Sequence, residues 1–379
     1  MVLATTTSCI SSCPFEFRKT LQLERLWLTD FRSYRSAEIE FSPGVTALLG
    51  QNGRGKTNVI EAISYVTTLS SFRGAPNDAM VHTEAQQAIV RAQGSRENRS
   101  LLIESEISRT GRGRAFLNKQ RVTKRRDLFE ALRVSVFSPD DLELVKEGPQ
   151  LRRDYLDSTL VAQRPALDTL RSEYERILKQ RNALLRQANG RRSEDIEITL
   201  SVWDEKLTQT GEALANARQQ LLNVLLPYVQ KAYDDVAQQH VEINIIYDAP
   251  WQHVGLQKAI EEKRDEEFRR GISLVGPHRD DVSILLAGLL SRTQASQGEQ
   301  RSIALALRLA AHRLVADTIG SPPILLLDDV FSELDPVRSA ALLHHLPAGQ
   351  TILTSATGLP EGSSADLVLS VTPGAVSPT

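Results

Sequence analysis

Gly50-Gln51-Asn52-Gly53-Arg54-Gly55-Lys56-Thr57 follows the apolar run Val45–Leu49 and leads into a helix-like stretch over 58–66. This is the complete G-x-x-x-x-G-K-T phosphate loop in the setting it requires: strand, glycine-rich turn, helix. The glycines let backbone N–H groups close around phosphate oxygens, and the helix N-terminus adds partial positive charge. Lys56 is placed to reach the outer phosphates, and the Thr57 hydroxyl to hold Mg²⁺. The chain is expected to bind a nucleoside triphosphate.

At 379 residues the chain suits one large or two ordinary domains. Its 41% hydrophobic and 24% charged residues are those of a globular protein. No apolar run approaches the roughly 18 residues of a membrane span, so no membrane partner is expected. Residues 1–20 lack a basic region followed by an apolar stretch; they read as a flexible extension without a secretory signal. Cys9 and Cys13, the only cysteines, form a C-x₃-C pair with no nearby His, a poor metal site; so few cysteines in a chain of this length fit a reducing cytosol. The net charge of −2 gives no overall push towards nucleic acid, yet residues 109–133 hold nine Lys or Arg against two acids.

Strands are expected over 21–28, 37–41, Val45–Leu49, 88–92 and 101–108, the third central in a sheet because it is apolar throughout. Arg109-Thr-Gly-Arg-Gly-Arg114 reads as a hairpin turn into 115–118. From about 163 the pattern changes. Leu167, Leu170, Tyr174, Ile177, Leu178, Leu184 and Leu185 recur at helical spacing, followed by an Asn189-Gly190 turn. A second helix is expected over 196–226, a third after Pro227, a strand over 241–247 and a charged helix over 261–270. Segments 272–275 and 282–286 resemble strands flanking a Gly-Pro turn. The domain reading is a head formed by 21–150 and 256–379, with a helical insertion over 151–255. A helix of ~26 residues spans roughly 40 Å, which makes a compact lobe.

Ile324-Leu325-Leu326-Leu327-Asp328-Asp329 is a buried strand ending in two carboxylates. Asp328 at the sheet edge can bind Mg²⁺ through water or Thr57, and Asp329 can orient or deprotonate water. Ser332-Glu-Leu-Asp335 with Pro336 reads both as a helix start, Asp before Pro, and as the D-loop of ABC ATPases. Ser296-Gln-Gly-Glu-Gln300 has the spacing of a capping box and also resembles the ABC signature, with Ala295 and Gln297 in place of Leu and Gly. In that class the serine and its helix N-terminus meet the γ-phosphate held by an opposite subunit. The fold class is therefore α/β: an ABC-type P-loop ATPase head with a mixed sheet, plus a compact helical lobe resembling a shortened SMC arm.

Further blocks narrow the class. Leu28-Thr-Asp-Phe-Arg-Ser-Tyr34, the phosphate loop extended through Ile63, Ser71-Phe-Arg73, Ser138-Pro-Asp-Asp-Leu142, Arg152-Arg-Asp-Tyr-Leu-Asp157 and Leu274-Val-Gly-Pro-His-Arg-Asp-Asp281 resemble the bacterial RecF family in order and spacing. The signature and Asp328 blocks do too, so that the resemblance covers about 21–371. It implies a cytoplasmic, nucleoid-associated protein of DNA replication and repair that binds DNA, dimerises with ATP and hydrolyses it slowly. Its DNA would be gapped, double-stranded or single-stranded, and its partners RecO- and RecR-type proteins that help place RecA. It further implies ATP contacts from Gly50 to Asn58, Arg32, Ser296, Gly298 and Asp335. Mg²⁺ falls to Thr57 and Asp328, with Lys56, Asp329 and Ser296 in catalysis. Two departures stand out: Thr354 and Ser355 occupy the place of the ABC switch histidine, and Asp329 replaces the usual Glu. Thr354 is a candidate for sensing the γ-phosphate.

DNA contact begins with cations against phosphates, and Arg73, Arg112, Arg114, Lys119, Arg121, Lys124, Arg125 and Arg126 are the candidates. A solvated charged face is an equal reading of the same run. No aromatic interleaving accompanies it, so base stacking is not indicated. The role of His278, Arg279, Asp280 and Asp281 stays open beyond a turn with paired charges. Two other functions are compatible with the loop: a structural clamp switched by ATP without RecA loading, and a P-loop kinase or NTPase acting on a small molecule. The signature and D-loop weigh against the latter.

Overall fold

The computed structural model describes residues 21–96, 99–111, 113–360 and 364–379. The expected flexible extension over 1–20 and the candidate Arg112 lie outside the described residues.

Val45–Leu49 is an inner strand of a six-stranded sheet. The order runs Ala375–Pro378, Leu367–Thr372, Val45–Leu49, Thr351–Ser355, Ile324–Leu327, Val134–Phe137. Every pairing is parallel except the terminal hairpin. Alternate residues face opposite cores. Leu48, Leu326 and Ile352 join Val59, Ile60 and Ile63 of the phosphate-loop helix Lys56–Thr68. Ala47, Leu325, Leu327 and Leu353 join Ile303, Leu307 and Ala310 of the helix Gln297–Ile319. Strands covered on both faces need no polar alternation, hence the unbroken apolar runs.

A second, antiparallel sheet covers the far side of the phosphate-loop helix. Its order is Tyr34–Glu40, Leu21–Phe31, Gln87–Arg96, Arg99–Ser108, Arg114–Leu117, Gln120–Arg121. Leu23, Leu26, Leu28, Val90 and Ile103 bury against the same core as Ile60 and Ile63. The basic hairpin falls where expected, with Arg114 opposite Glu106. Asn118 and Lys119, at φ 49° and 68°, make the next two-residue turn, a conformation asparagine tolerates.

The helical region corrects the sequence reading at Pro227. One helix, Glu194–Ala237, runs through it for 44 residues, about 66 Å at 1.5 Å per residue. The ring removes one helix hydrogen bond and crowds the preceding turn, at a cost of about 3 kcal/mol. Leu221, Leu222, Leu225, Val229, Ala232 and Val236 are all buried around it. Each large side chain contributes roughly 1.5–3 kcal/mol, so packing outweighs the local penalty. This helix packs along Gln297–Ile319 on one side and Leu167–Ala188 on the other.

Segment 272–275 is likewise not a strand. Asn182 Oδ1 accepts the Ser273 N–H at 2.7 Å, and Glu267 Oε1 accepts the Leu274 N–H at 2.7 Å. Side chains thus take the part of a neighbouring strand. Ile243–Asp248 pairs antiparallel with Asp281–Leu286, which continues to Leu289–Leu290. That small sheet joins the two sides of the boundary read at 255.

Pro227 is exposed, so Pro227→Ala restores a helix hydrogen bond without opening the core. The unfolding free energy is expected to rise by about 1–3 kcal/mol, read as a higher denaturant midpoint at unchanged slope. An unchanged or lower midpoint would show that the proline carries no penalty in this helix.

Candidate nucleotide-binding site

The parallel sheet delivers the phosphate loop at the carboxyl end of Val45–Leu49. Gly55 caps the following helix at φ 104°, a left-handed conformation, and no side chain caps the first turn. The free N–H groups of that turn suit phosphate oxygens. A Cβ at Gly55 would meet Ser33 Oγ at 2.9 Å and the Tyr34 hydroxyl at 3.0 Å. The loop is braced there: Tyr34 donates to the Gly55 carbonyl at 3.1 Å, and Asn58 Nδ2 donates to Ser33 Oγ at 3.0 Å.

Lys56 Nζ folds over the loop, donating to the carbonyls of Gly50 at 2.6 Å and Gln51 at 3.1 Å and to Asn52 Oδ1 at 3.4 Å. Burial lowers its pKa, while the charges of Asp329 and Asp328 oppose that. Arg54 pairs with Gln51 Oε1 within the loop. Asp328 sits behind, almost wholly buried. Its Oδ1 accepts from Thr57 Oγ1 at 3.0 Å and from Thr354 Oγ1 at 2.9 Å. Burial pushes the Asp328 carboxyl up; the two hydroxyls pull it down, Asp329 raises it and Arg73 lowers it. A carboxylate beside a loop threonine, flanked by a second acid, suits Mg²⁺ bound with a triphosphate.

Thr354 lies beside both acids. It is fully buried, and its hydroxyl donates to Asp328 while accepting the Asp329 N–H at 2.9 Å. It thus bonds to both acids. Asp329 itself is held at φ 49°. Arg32, expected at the nucleotide, is committed elsewhere. Its Nε and Nη2 make 2.7 Å bonds to both oxygens of buried Glu61, and Nη1 reaches the Ala79 carbonyl at 2.7 Å. It ties the end of Leu21–Phe31 to the phosphate-loop helix, immediately before the Ser33 and Tyr34 that touch the loop.

The signature segment forms a separate assembly. Ser296 caps Gln297–Ile319: its Oγ accepts the Glu299 N–H at 3.3 Å, and Glu299 Oε2 accepts the Ser296 N–H at 2.7 Å. Gly298 lies against Arg338 of the helix Pro336–His344, which Asp335 caps. Ser296 and Asp335 are both exposed. Among the described residues no hydrogen bond or ion pair joins Ser296, Gly298 or Asp335 to the phosphate loop.

The basic candidates divide. Arg114, Lys119 and Arg121 are exposed at one edge of the antiparallel sheet. Lys124, Arg125 and Arg126 instead line a cleft of about 630 Å³ shared with Asp168, Glu173 and Arg176. Arg125, exposed, donates to the Thr68 carbonyl at the end of the phosphate-loop helix. Arg73 is exposed, and its charge pulls the Asp328 carboxyl down.

A network between head and helical lobe was hidden in the sequence. Arg152 grips Asp281 at 2.8 and 3.1 Å, and Arg218 grips Asp157 at 2.8 and 2.9 Å. Arg218 also donates to the Pro277 carbonyl at 2.8 Å. Asp280 accepts from Tyr247 and Trp251, both at 2.7 Å, and Tyr174 meets His278 Nδ1 at 2.7 Å. The available signal was two blocks rich in Arg and Asp, whose pairing no local spacing reveals.

Strand, phosphate loop, paired acids, signature helix and helical lobe together define an ATPase head of the ABC and SMC type. Residues 22–357 match the family described as RecF/RecN/SMC N terminal domain. The DNA replication and repair protein RecF of Beutenbergia cavernae is 41% identical over 366 residues, covering 87% of this chain and 92% of that protein. Its counterpart in Streptomyces avermitilis is 39% identical over 350 residues, 89% of this chain and 93% of the relative. A solved structure described as the recombination mediator protein RecF-ATP in the RecFOR pathway aligns with TM-score 0.87 and 27% identity, covering 95% of this chain and 98% of that one. An Smc head domain from Pyrococcus furiosus, at 18% identity and TM-score 0.56, shares the fold. The chain belongs to the RecF family.

His278 and His312 give the structure a pH signature. Burial lowers each pKa from 6.5 to about 4, and neither ring nitrogen of buried His312 has a hydrogen-bond partner. Between these values the unfolded chain binds more protons, so stability is present above pH 6.5 and falls as pH drops towards 4. Denaturant midpoints should decline across that window, and less steeply in His312→Leu; an unaltered slope would show that His312 is not held neutral.

Proposed function

We propose that this protein is an ATP-switched DNA-binding ATPase of replication and recombinational repair, acting as two copies that close on gapped or double-stranded DNA. Lys56 leaves the Gly50 and Gln51 carbonyls for the outer phosphates, and loop N–H groups take the remaining oxygens. Thr57 and Asp328 would hold Mg²⁺, which neutralises charge on the transferring phosphoryl group when bound. Asp329, pinned through its N–H to Thr354, orients the attacking water as general base. Ser296, Gly298 and Asp335 act on the nucleotide of the other copy. Slow hydrolysis then separates the pair, and RecO- and RecR-type partners use the DNA-bound state to place RecA in the cytoplasm.

The observation that supports this most is the division of the site. Thr57, Asp328 and Thr354 converge within one chain, whereas, among the described residues, exposed Ser296 and Asp335 are bonded within their own loops. A small-molecule kinase has no use for that second assembly. Exposed Arg114, Lys119 and Arg121 are the cations best placed for DNA phosphates.

Mass in solution tests ligand and assembly together. With ATP and a gapped duplex the parent should double its mass, and Lys56→Ala should remain a single copy. Unchanged mass of the parent at saturating ATP and DNA, or equal pairing by Lys56→Ala, would overturn the proposal.

A further inference from the structure

We propose that Arg338 is a positioning residue that locks the signature segment and the D-loop into one jaw, so that Ser296 and Asp335 reach the other copy's nucleotide in fixed relative geometry. The inference rests on the two-copy reading above. Both oxygens of Asp335 are held by this one residue: Oδ1 accepts the Arg338 N–H at 2.9 Å, and Oδ2 accepts Nη1 at 2.6 Å. The same guanidinium lies against the first turn of the signature helix. A methyl group built at Gly298 would stand 3.0 Å from Nη1, 3.2 Å from Nη2 and 3.3 Å from the central carbon. Gly298 lies inside the Ser296–Glu299 capping box, so any shift of Arg338 is felt by the serine's own hydrogen bonds.

Only a planar guanidinium can rest its face on a peptide backbone while its edge serves a carboxylate; a lysine cannot do both. The contact also carries a penalty: Arg338 Nε is buried without an acceptor. The two loops belong to different helices, and Arg338 touches both the first turn of one and the capping carboxylate of the other, so their relative spacing depends on it. A misplacement of about 1 Å can cost on the order of 10²-fold in rate, which makes such a brace consequential.

Arg338→Met and Arg338→Lys in the full chain test this, with three readouts: binding of a fluorescent ATP analogue to single copies, ATP-driven pairing by sedimentation, and amide hydrogen exchange without nucleotide. Both variants should bind nucleotide as the parent does. Arg338→Met should need about tenfold more protein to pair, with Arg338→Lys between it and the parent. Exchange should quicken at 296–300 and 335–338 and stay unchanged at 50–66. Pairing and exchange by Arg338→Met that match the parent overturn the inference alone. A parent that does not pair with ATP overturns the two-copy reading and this inference with it. Should Arg338→Met fail to fold, Arg338→Lys, which keeps the charge and the N-cap, decides on the same readouts.

Discussion

Two hydroxyl groups, separated by almost three hundred residues of chain, donate to a single buried oxygen of Asp328. Thr57 arrives from the phosphate-loop helix and Thr354 from a neighbouring strand, at 3.0 and 2.9 Å. Meeting there requires the strand order around Val45–Leu49, and that order requires apolar cover on both faces of the parallel sheet. One cover is the phosphate-loop helix with the antiparallel sheet behind it; the other is the signature helix and the lobe packed on it. An unpartnered carboxylate in such a place would be costly or protonated. The two hydroxyls favour its charged form against the burial that raises its pKa.

The lobe is joined to the head by charges rather than by apolar contact alone. The largely buried pair Arg152–Asp281 crosses between them, and Arg218, paired with Asp157 inside the lobe, donates to the Pro277 carbonyl; the Asp280 and His278 hydrogen bonds surround both. Farther out, fully buried Arg181 bonds Asp204, Glu267 and Ser273 at 2.6 to 2.7 Å. Pairs of this kind add little net stability over apolar residues of similar size, but losing one partner leaves the other charge stranded. They favour one docking arrangement of lobe and head, and the long helix through Pro227 carries that arrangement along the signature helix.

Much of the site was legible because its chemistry is contiguous: the phosphate loop, the Asp328–Asp329 pair and the Ser296 segment each lie within a dozen residues. Strands covered on both faces were legible for the same local reason, their unbroken apolar runs. What stayed hidden depends on partners far away in sequence. The bonds of Arg32 to Glu61 and of Arg125 to Thr68 could not be read from their own segments. Segment 272–275 has strand-like residues, but Asn182 and Glu267 satisfy its backbone. Pro227 signals a break that neighbouring burial overrides. Thr354 stands where a switch residue was sought, and its own segment does not reveal its bonds to both acids.

That each nucleotide is completed by the opposite copy can be measured most directly by mixing two damaged chains. Lys56→Ala has an intact signature, and Ser296→Arg an intact phosphate loop. Each alone should hydrolyse ATP at background rate, while their mixture should recover part of the parent's activity through one repaired site per mixed pair. A mixture as inactive as its components, under conditions where the two variants still associate, would contradict a site shared between copies.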